Sequence, residues 1–504
     1  MTSPAPTQSK LKLRLAIWLL PPLGLILLWR FRGFGLFRKI FGTLGILLYC
    51  LPYTVLILWP VVKSGVLKVE MRGGYIPSLT RAKTLPDFDA LEADRQSKAK
   101  AAPKNVAAVD RAAYWTDFRG PNRDGRYDEQ PILTNWPAGG PRLLWRQPIG
   151  GGYASFVVAE GRAFTIEQRR SQEVVTAYDV ATGHELWAYG YEAEFQEEMG
   201  GDGPRATPTY RDGRVYSLGA VGELVCLDAA TGKPFWRRNI LRENHADDLY
   251  YGLAASPLIV EDKVIVTPGG PAGRSVCAYQ RLSGEPLWGA LDDSQAYSSP
   301  MLVTLAGQRQ ALIVSEQRAV GLGVEDGKLL WETPWVVQMK NRNIAQPLPL
   351  GANRFLLSAG YGTGCEAVEI VKEATGFSAR TVWRNKFLKN KFTSSVYLDG
   401  CIYGLDEDIL TCLDAETGQR KWKGGRYGYG QLLLASGHLV ILCGDGDLAL
   451  ARANPDHPDE LARCSAIKGK TWNNPALAGG RLLVRNAAEM ACFDLSIPPL
   501  AAAR

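Results

Sequence analysis

Short runs in which apolar and polar positions alternate, such as Glu223-Leu-Val-Cys-Leu227, recur along most of the chain beyond residue 110. Such alternation predicts strands buried on one face. Several of these runs lead into the same turn signal and then a tryptophan. Asp179-Val-Ala-Thr-Gly183 is followed by Trp187, Asp228-Ala-Ala-Thr-Gly232 by Trp236, and Asp414-Ala-Glu-Thr-Gly418 by Trp422, always at the same spacing. Weaker copies keep Gly284 with Trp288 and Gly327 with Trp331, while Thr375-Gly376 leads to Trp383 with three extra residues assigned to the turn. Trp145 heads the series without a preceding turn. Each part has a mechanical role: aspartate bonds the turn backbone, glycine supplies a positive φ, and tryptophan offers a flat wedge between neighbouring units.

The successive tryptophans from 145 to 422 lie 42, 49, 52, 43, 52 and 39 residues apart. That is the length of one four-stranded propeller blade. Proline steps fall at the same period, at Thr207-Pro208, Ser256-Pro257, Ser299-Pro300, Gln346-Pro347 and Asn474-Pro475. Proline cannot serve mid-ladder, so these steps predict the starts of inner strands at one end of a ring. Six blades end at Trp187, Trp236, Trp288, Trp331, Trp383 and Trp422. Residues 425–466 supply a seventh, with the tryptophan place taken around Arg463-Cys464. Pro475 to Asp494 supplies inner strands that lack a tryptophan strand, and Arg142 to Arg146 supplies a tryptophan strand that lacks inner ones. Together they predict an eighth blade, closed by both ends of the domain. The expected fold is all-β: an eight-bladed β-propeller over 111–496, followed by a tail at 497–504.

The N-terminal region reads differently. Ile40 to Val62 carries no charge over 23 residues, about 35 Å as a helix, enough for a bilayer core of about 30 Å. Residues 15–29 form a shorter apolar segment interrupted by Pro21-Pro22. Arg30, Arg32, Arg38 and Lys39 lie between the two, and no small-residue cleavage pattern follows Trp29, which predicts an uncleaved anchor over 1–62. The basic loop belongs on the cytoplasmic side. The expected placement is therefore the inner (cytoplasmic) membrane, with the propeller on the periplasmic side. Residues 63–110 read as a linker, with Arg95 to Lys104 favouring a flexible spacer.

Charge sharpens this division. Residues 1–72 hold ten Lys/Arg against Glu70 alone, which leaves 48 basic and 50 acidic residues downstream. The large domain has no basic excess of the kind nucleic-acid binding requires. The nine cysteines include no Cys-x-x-Cys. Cys226, Cys412 and Cys492 occupy the repeat position held elsewhere by Ala177, as small buried residues do. The four histidines lack metal-ligand spacing, Gly444-Asp-Gly-Asp447 reads as a strand turn, and Asp292-Asp293 reads as a solvated pair of acids. Arg384-Asn-Lys-Phe-Leu-Lys-Asn-Lys391 is expected to be a solvated hairpin, with contact to anionic lipid or a partner as the alternative.

The repeat Ala177…Trp187 resembles the tryptophan-docking motif of quinoprotein-like propellers built from pyrroloquinoline-quinone-like repeats. Asp117-Phe-Arg-Gly-Pro-Asn-Arg-Asp-Gly125, Gly203-Pro-Arg-Ala-Thr-Pro208 and Gly469-Lys-Thr-Trp-Asn-Asn-Pro475 share the resemblance, which covers about Tyr114 to Ser496. No Trp-Asp dipeptide supports a WD40 propeller. The family divides into quinone-dependent dehydrogenases and a non-catalytic, BamB-like branch. Many of the enzymes carry a disulfide between adjacent cysteines; this chain has no Cys-Cys pair, and its compact propeller is similar to the non-catalytic branch. The resemblance then implies no catalytic residues, no metal and no cofactor, and a binding or scaffolding role toward an envelope protein or a small ligand. The alternative is an alcohol or sugar dehydrogenase using pyrroloquinoline quinone and calcium. Candidate channel-mouth residues are Arg205, Tyr251, Asn343, Gln346, Trp472, Asn473 and Asn474, each beside an inner-strand start. Their polar and aromatic side chains suit either a ligand site or hydrogen-bonded plugs in the ring. The expected partner mode is β-strand addition or loop contact.

Overall fold

The structure, a computed structural model, describes residues 21–30, 34–64, 67–72, 76–81, 92–93, 95–96, 114–339 and 342–497. The chain divides into two units, 1–85 and 86–504. In the first, helix Pro21–Arg30 precedes the 28-residue helix Leu36–Lys63, which contains Pro52 and Pro60. Pro21 and Pro22, read as an interruption of the apolar segment, are the first two described residues of this helix. Residues 15–20 of the shorter expected segment lie outside the described residues. Leu28 and Ile46 are buried together in the same apolar cluster, and Trp29 Nε1 donates to Thr43 Oγ1 at 3.0 Å. Among the described residues no helix is long and apolar enough to cross a membrane; the side chains at 51, 53–55 and 57 are outside them. The 40–62 run is thus helical as expected, but the expected span is not met within the described residues. Leu67–Arg72 and Ile76–Arg81 pair antiparallel, a strand pair inside the stretch read as a linker.

In the second unit the alternating runs become eight sheets, seven of four strands and one of five. The first seven blades in chain order open with Val157–Ala159, Thr209–Arg211, Leu258–Val260, Met301–Leu305, Leu348–Pro349, Val396–Leu398 and Gln431–Ala435. The eighth sheet joins Ala476–Ala478, Arg481–Arg485 and Glu489–Asp494 to the strand Arg142–Pro148, the predicted closure by both ends of the domain. The seventh gains Arg126–Tyr127 as a parallel fifth strand.

Cross-strand register explains the repeat. Trp187, Trp236, Trp288, Trp331, Trp383, Trp422 and Trp145 lie opposite Ala177, Cys226, Ala278, Gly321, Ala367, Cys412 and Cys492, with a bulge directly after each. A small partner leaves room for the indole, which is why alanine and cysteine interchange there. In the seventh blade the equivalent pair is Leu450 with Ala462, one residue before the expected Arg463-Cys464 area. Asp179, Asp228 and Asp414 each accept from the backbone N–H and hydroxyl of the threonine three residues on. Trp145, Trp187, Trp236, Trp288, Trp383 and Trp422 donate Nε1–H to a carbonyl in the next blade's turn region. Trp331 donates instead to Gln310 within its own sheet. In the blade beyond it, Gly364–Glu373 and Gly376–Asn385 form a long hairpin paired down to Glu373 and Gly376. The extra residues before Trp383 therefore lengthen strands rather than the turn.

The proline steps sit immediately before the innermost strands. Around them runs an inter-blade relay. Backbone N–H groups of Ser155, Ser256, Ser299 and Gln346 donate to Thr207 Oγ1, Ser299 Oγ, Gln346 Oε1 and Ser394 Oγ of the following unit, at 2.9, 2.9, 3.3 and 2.9 Å. Buried backbone donors need such partners. The polar residues preceding each proline thus stitch blade to blade.

One buried acid makes an inter-blade contact pH-dependent. Glu173, fully buried in the first blade, accepts from Tyr191 Oη at 2.9 Å and from the Ala220 backbone N–H at 2.8 Å. Burial pushes its carboxyl up to about 7. A raised folded-state value means that the native state holds the proton more tightly. The associated stability is complete below the ordinary glutamate range and is lost as pH rises through about 7, by up to about 3 kcal/mol. Glu173→Gln, which mimics the protonated acid, is expected to flatten this slope and to raise the urea midpoint at pH 8. An unchanged slope between pH 5 and 7 would refute the assignment.

Candidate functional site

The position four residues before an innermost strand recurs as Tyr153, Arg205, Tyr297, Phe392 and Trp472. The ring brings these side chains together around one mouth. Tyr153 stacks on Trp472 at 5.7 Å with 27° between planes, and Trp472 meets Phe392 at 4.6 Å. Phe392 contacts Tyr429 at 5.4 Å. On the other side the Arg205 guanidinium lies 5.3 Å from the Tyr153 ring, 4.9 Å from Phe195 and 5.9 Å from Tyr251. Tyr251 continues to Tyr297 at 5.8 Å and carries Arg342 over its face at 4.4 Å. Lys470 lies over Trp472 at 4.6 Å, and Lys391 over Tyr361 and Tyr429 at 4.8 and 4.6 Å. The result is a horseshoe of alternating cations and aromatic faces, drawn from loops that enter most of the blades. Cation–π contacts of this kind strengthen where the cation loses water. Burial lowers the proton affinity of Arg205 and brings Lys391 down to about 8.

Carboxamides form the floor. Asn473 Nδ2 donates to Gly152 and Ala154 carbonyls at 3.2 and 2.9 Å. Asn343 Nδ2 donates to Ser315 and Glu316 carbonyls at 2.8 and 3.1 Å, and Gln431 Nε2 to those of Phe392 and Trp472, both at 2.9 Å. The carbonyl oxygens of all three side chains are buried without a protein hydrogen-bond partner. Gln346 belongs to the relay, donating Nε2–H to the Ser299 carbonyl at 2.8 Å.

The predicted residues thus separate. Arg205, Tyr251 and Trp472 join the horseshoe; Asn343, Gln346 and Asn473 are buried inter-blade stitches; Asn474 contributes its backbone carbonyl, which accepts from Ser155 Oγ at 2.5 Å. Tyr153, Phe195, Tyr297, Arg342, Phe392, Tyr429 and Lys470 were missed, although the four-residue offset marks Tyr153, Tyr297 and Phe392. The basic stretch 384–391 is not simply solvated either. Lys391 is 1% exposed within the funnel, Lys389 pairs with Asp406, and Arg384 faces Glu366 at 3.6 Å. Asp293 pairs with Arg318 at 2.9 Å and Asp292 accepts from the Gly273 N–H at 2.7 Å, so neither acid is merely hydrated.

Beneath the floor, the lead-in segment 117–125 crosses the ring. Arg123 reaches the carbonyls of Ser256, Pro257 and Pro300 at 3.2, 2.6 and 2.7 Å, Thr209 Oγ1 at 3.2 Å and Asp117 at 3.2 Å. Arg119 reaches the carbonyls of Ser394 and Ser395 at 3.4 and 2.8 Å. Both arginines are almost fully buried. They bind inner-strand starts from several blades and plug the axis.

Calcium takes six to eight oxygen ligands, and among the described residues no three of His, Cys, Asp or Glu come together to hold a metal ion. The funnel carboxylate of Glu197 is held by the N–H groups of Met199, Gly200 and Gly201 and lies 3.6 Å from Arg205. The nine cysteines are free thiols.

A family model described as outer membrane protein assembly factor BamB matches residues 170–424, half of the chain. BamB from Moraxella catarrhalis is similar at a TM-score of 0.51 and 17% identity, over 70% of this chain and 99% of that one. The computationally designed Ika8 protein gives 0.50 at 10% identity, over 70% and 100%. These likenesses show the fold. A 1-butanol dehydrogenase (cytochrome c) of Thauera butanivorans is 33% identical over 99 residues, 19% of this chain and only 14% of that enzyme. Repeat, ring and matched residues agree, and the chain belongs to the family of outer membrane protein assembly factor BamB, within the pyrroloquinoline-quinone-like propellers.

Proposed function

We propose that this protein is a non-catalytic binding module of the cell envelope, held at the inner membrane with its propeller on the periplasmic side. The observation that carries the reading is the funnel. The chemistry of its walls is cationic and aromatic, suited to gripping a partner, while its buried carboxylate is already engaged by backbone N–H groups and an arginine. Placement is supported by the Arg/Lys loop and by helix Leu36–Lys63, where Phe37, Phe41, Leu44, Leu48, Leu56 and Trp59 are all exposed. An apolar surface of that extent calls for lipid or protein cover. The family's name adds an envelope partner by analogy of fold, a weaker warrant than the site itself.

Crosslinked affinity capture from membranes tests both parts. The full chain is expected in the membrane fraction together with an envelope protein, and removal of residues 1–63 is expected to release the propeller. An empty capture, or retention without residues 1–63, would count against the corresponding part. The 99-residue similarity to an alcohol dehydrogenase defines the rival. Turnover of butanol with a dye acceptor after addition of pyrroloquinoline quinone and calcium would overturn the non-catalytic reading; none is expected.

A further inference from the structure

The funnel is partly filled by the chain's own loop 196–204. The Gly200 carbonyl accepts from both Tyr153 Oη and Lys470 Nζ. Arg205 donates to the carbonyls of Gly201 and Gly203 at 2.9 and 2.8 Å. Two of the funnel's cations and one of its hydroxyls are therefore occupied by neutral backbone oxygens. The loop approaches closely because it lacks side chains: a Cβ on Gly200 would lie 2.7 Å from the Glu197 carboxylate and 3.1 Å from Arg205, and one on Gly201 would lie 3.0 Å from Tyr153 Oη. Gly201 and Gly203 have φ of +112° and +91°, conformations from which a glycine-rich loop moves at little steric cost.

We infer that loop 196–204 is a displaceable stand-in for an acidic peptide, whose carboxylates take over Lys470, Tyr153 and Arg205 in the funnel. The inference rests on the funnel being the ligand-facing surface proposed above. Charge decides the exchange: a carboxylate accepts the same hydrogen bonds as the loop's carbonyls and also brings an opposite charge to the ammonium or guanidinium. The site already tolerates that chemistry, because Glu197 places a carboxylate 3.6 Å from Arg205 with its side chain 3% exposed. The walls suit a chain rather than a bare ion, since Trp472, Tyr153 and Tyr251 line the path from Lys470 to Arg205 with half-buried rings. Met199, 42% exposed, sits with Sδ 4.0 Å from Tyr251 Oη and would leave with the loop.

The test is fluorescence anisotropy of a dye-labelled hexaglutamate peptide with the full-length protein in detergent micelles. Saturable binding is expected, weakened at least tenfold by Lys470→Ala and by Tyr153→Phe with the thermal midpoint retained. Glu197→Gln loosens the loop and is expected to tighten binding about threefold or more. Amide hydrogen exchange at 199–203 is expected to rise when the peptide is added, a readout that needs no variant. Unaltered exchange, or indifference to Lys470→Ala, would overturn the inference. So would equal competition by succinate at matched carboxylate concentration, which would make the ligand a small acid. If capture recovers a partner that hexaglutamate does not release, this inference fails while the binding-module reading stands; if capture is empty, that reading fails instead.

Discussion

Arg123→Met is expected to destabilise the propeller by about 3–5 kcal/mol, the usual result of removing one partner from a buried ion pair. The guanidinium is 2% exposed and makes bonds to Asp117, Thr209 and three carbonyls at the starts of two further blades. Methionine fills much of the volume but offers no donor. The carbonyls of Ser256 and Pro300 lose a charged partner, and buried groups left unpaired carry their full desolvation penalty. Asp117 suffers most directly: burial already raises its carboxyl, and the positive charge of Arg123 is the chief influence holding it down. In the variant that carboxyl should protonate or draw in water. Urea unfolding of the full-length protein reads the loss, and Asp117→Asn in the same chain should recover part of it, because the two residues act as a unit. A loss below about 1 kcal/mol would mean that the segment merely lies across the axis without joining the blades.

Trp145→Ala should cost a similar amount, about 3–5 kcal/mol, for a different reason. Trp145 is the docking tryptophan of the closing blade, where Arg142–Pro148 completes a sheet begun by the last three strands of the domain. Its Nε1 donates to the Val180 carbonyl at 2.9 Å, and its ring covers Gly183 of the first blade so closely that a Cβ there would lie 2.7 Å from it. Alanine opens a cavity at the seam and unpairs a buried carbonyl together. Gly183→Ala attacks the same contact from the other side. Its φ of +72° adds about 1–2 kcal/mol of backbone strain to the collision, so this variant should also lower the urea midpoint. Limited proteolysis locates the damage: cleavage should begin within 126–148 as the closing strand detaches. Protection of that stretch in Trp145→Ala would show that strand pairing alone closes the ring.

Much of the fold was legible in the chain. The Asp-Gly-Trp spacing, the alternating runs and the proline steps act within a single hairpin or blade, over distances where local hydrogen bonding and steric limits decide conformation. Closure was legible because the two incomplete units were complementary. The interchange of alanine and cysteine marked a small buried strand position at Ala177, Cys226, Cys412 and Cys492, and the strand register then placed each opposite a tryptophan.

The site was legible only in part. Arg205, Tyr251 and Trp472 share the mouth, but Asn343, Gln346 and Asn473 are spent on carbonyls of neighbouring loops, and composition cannot distinguish a stitch from a ligand contact. Lys391 looked like part of a solvated charge run, yet the ring draws it inward against Tyr361 and Tyr429.

The period, the hairpin chemistry and the polar–apolar division can be read from the chain because each follows from residues a few places apart, and the number of blades because that local pattern repeats and its two incomplete ends complement each other. Tertiary structure alone decided how the axis is filled. Arg119 meets Ser395 across 276 residues of sequence, and Asn473 meets Ala154 across 319. No local pattern records such pairs; they exist only once eight independently legible sheets close into a ring and turn the same end of each inner strand toward one axis.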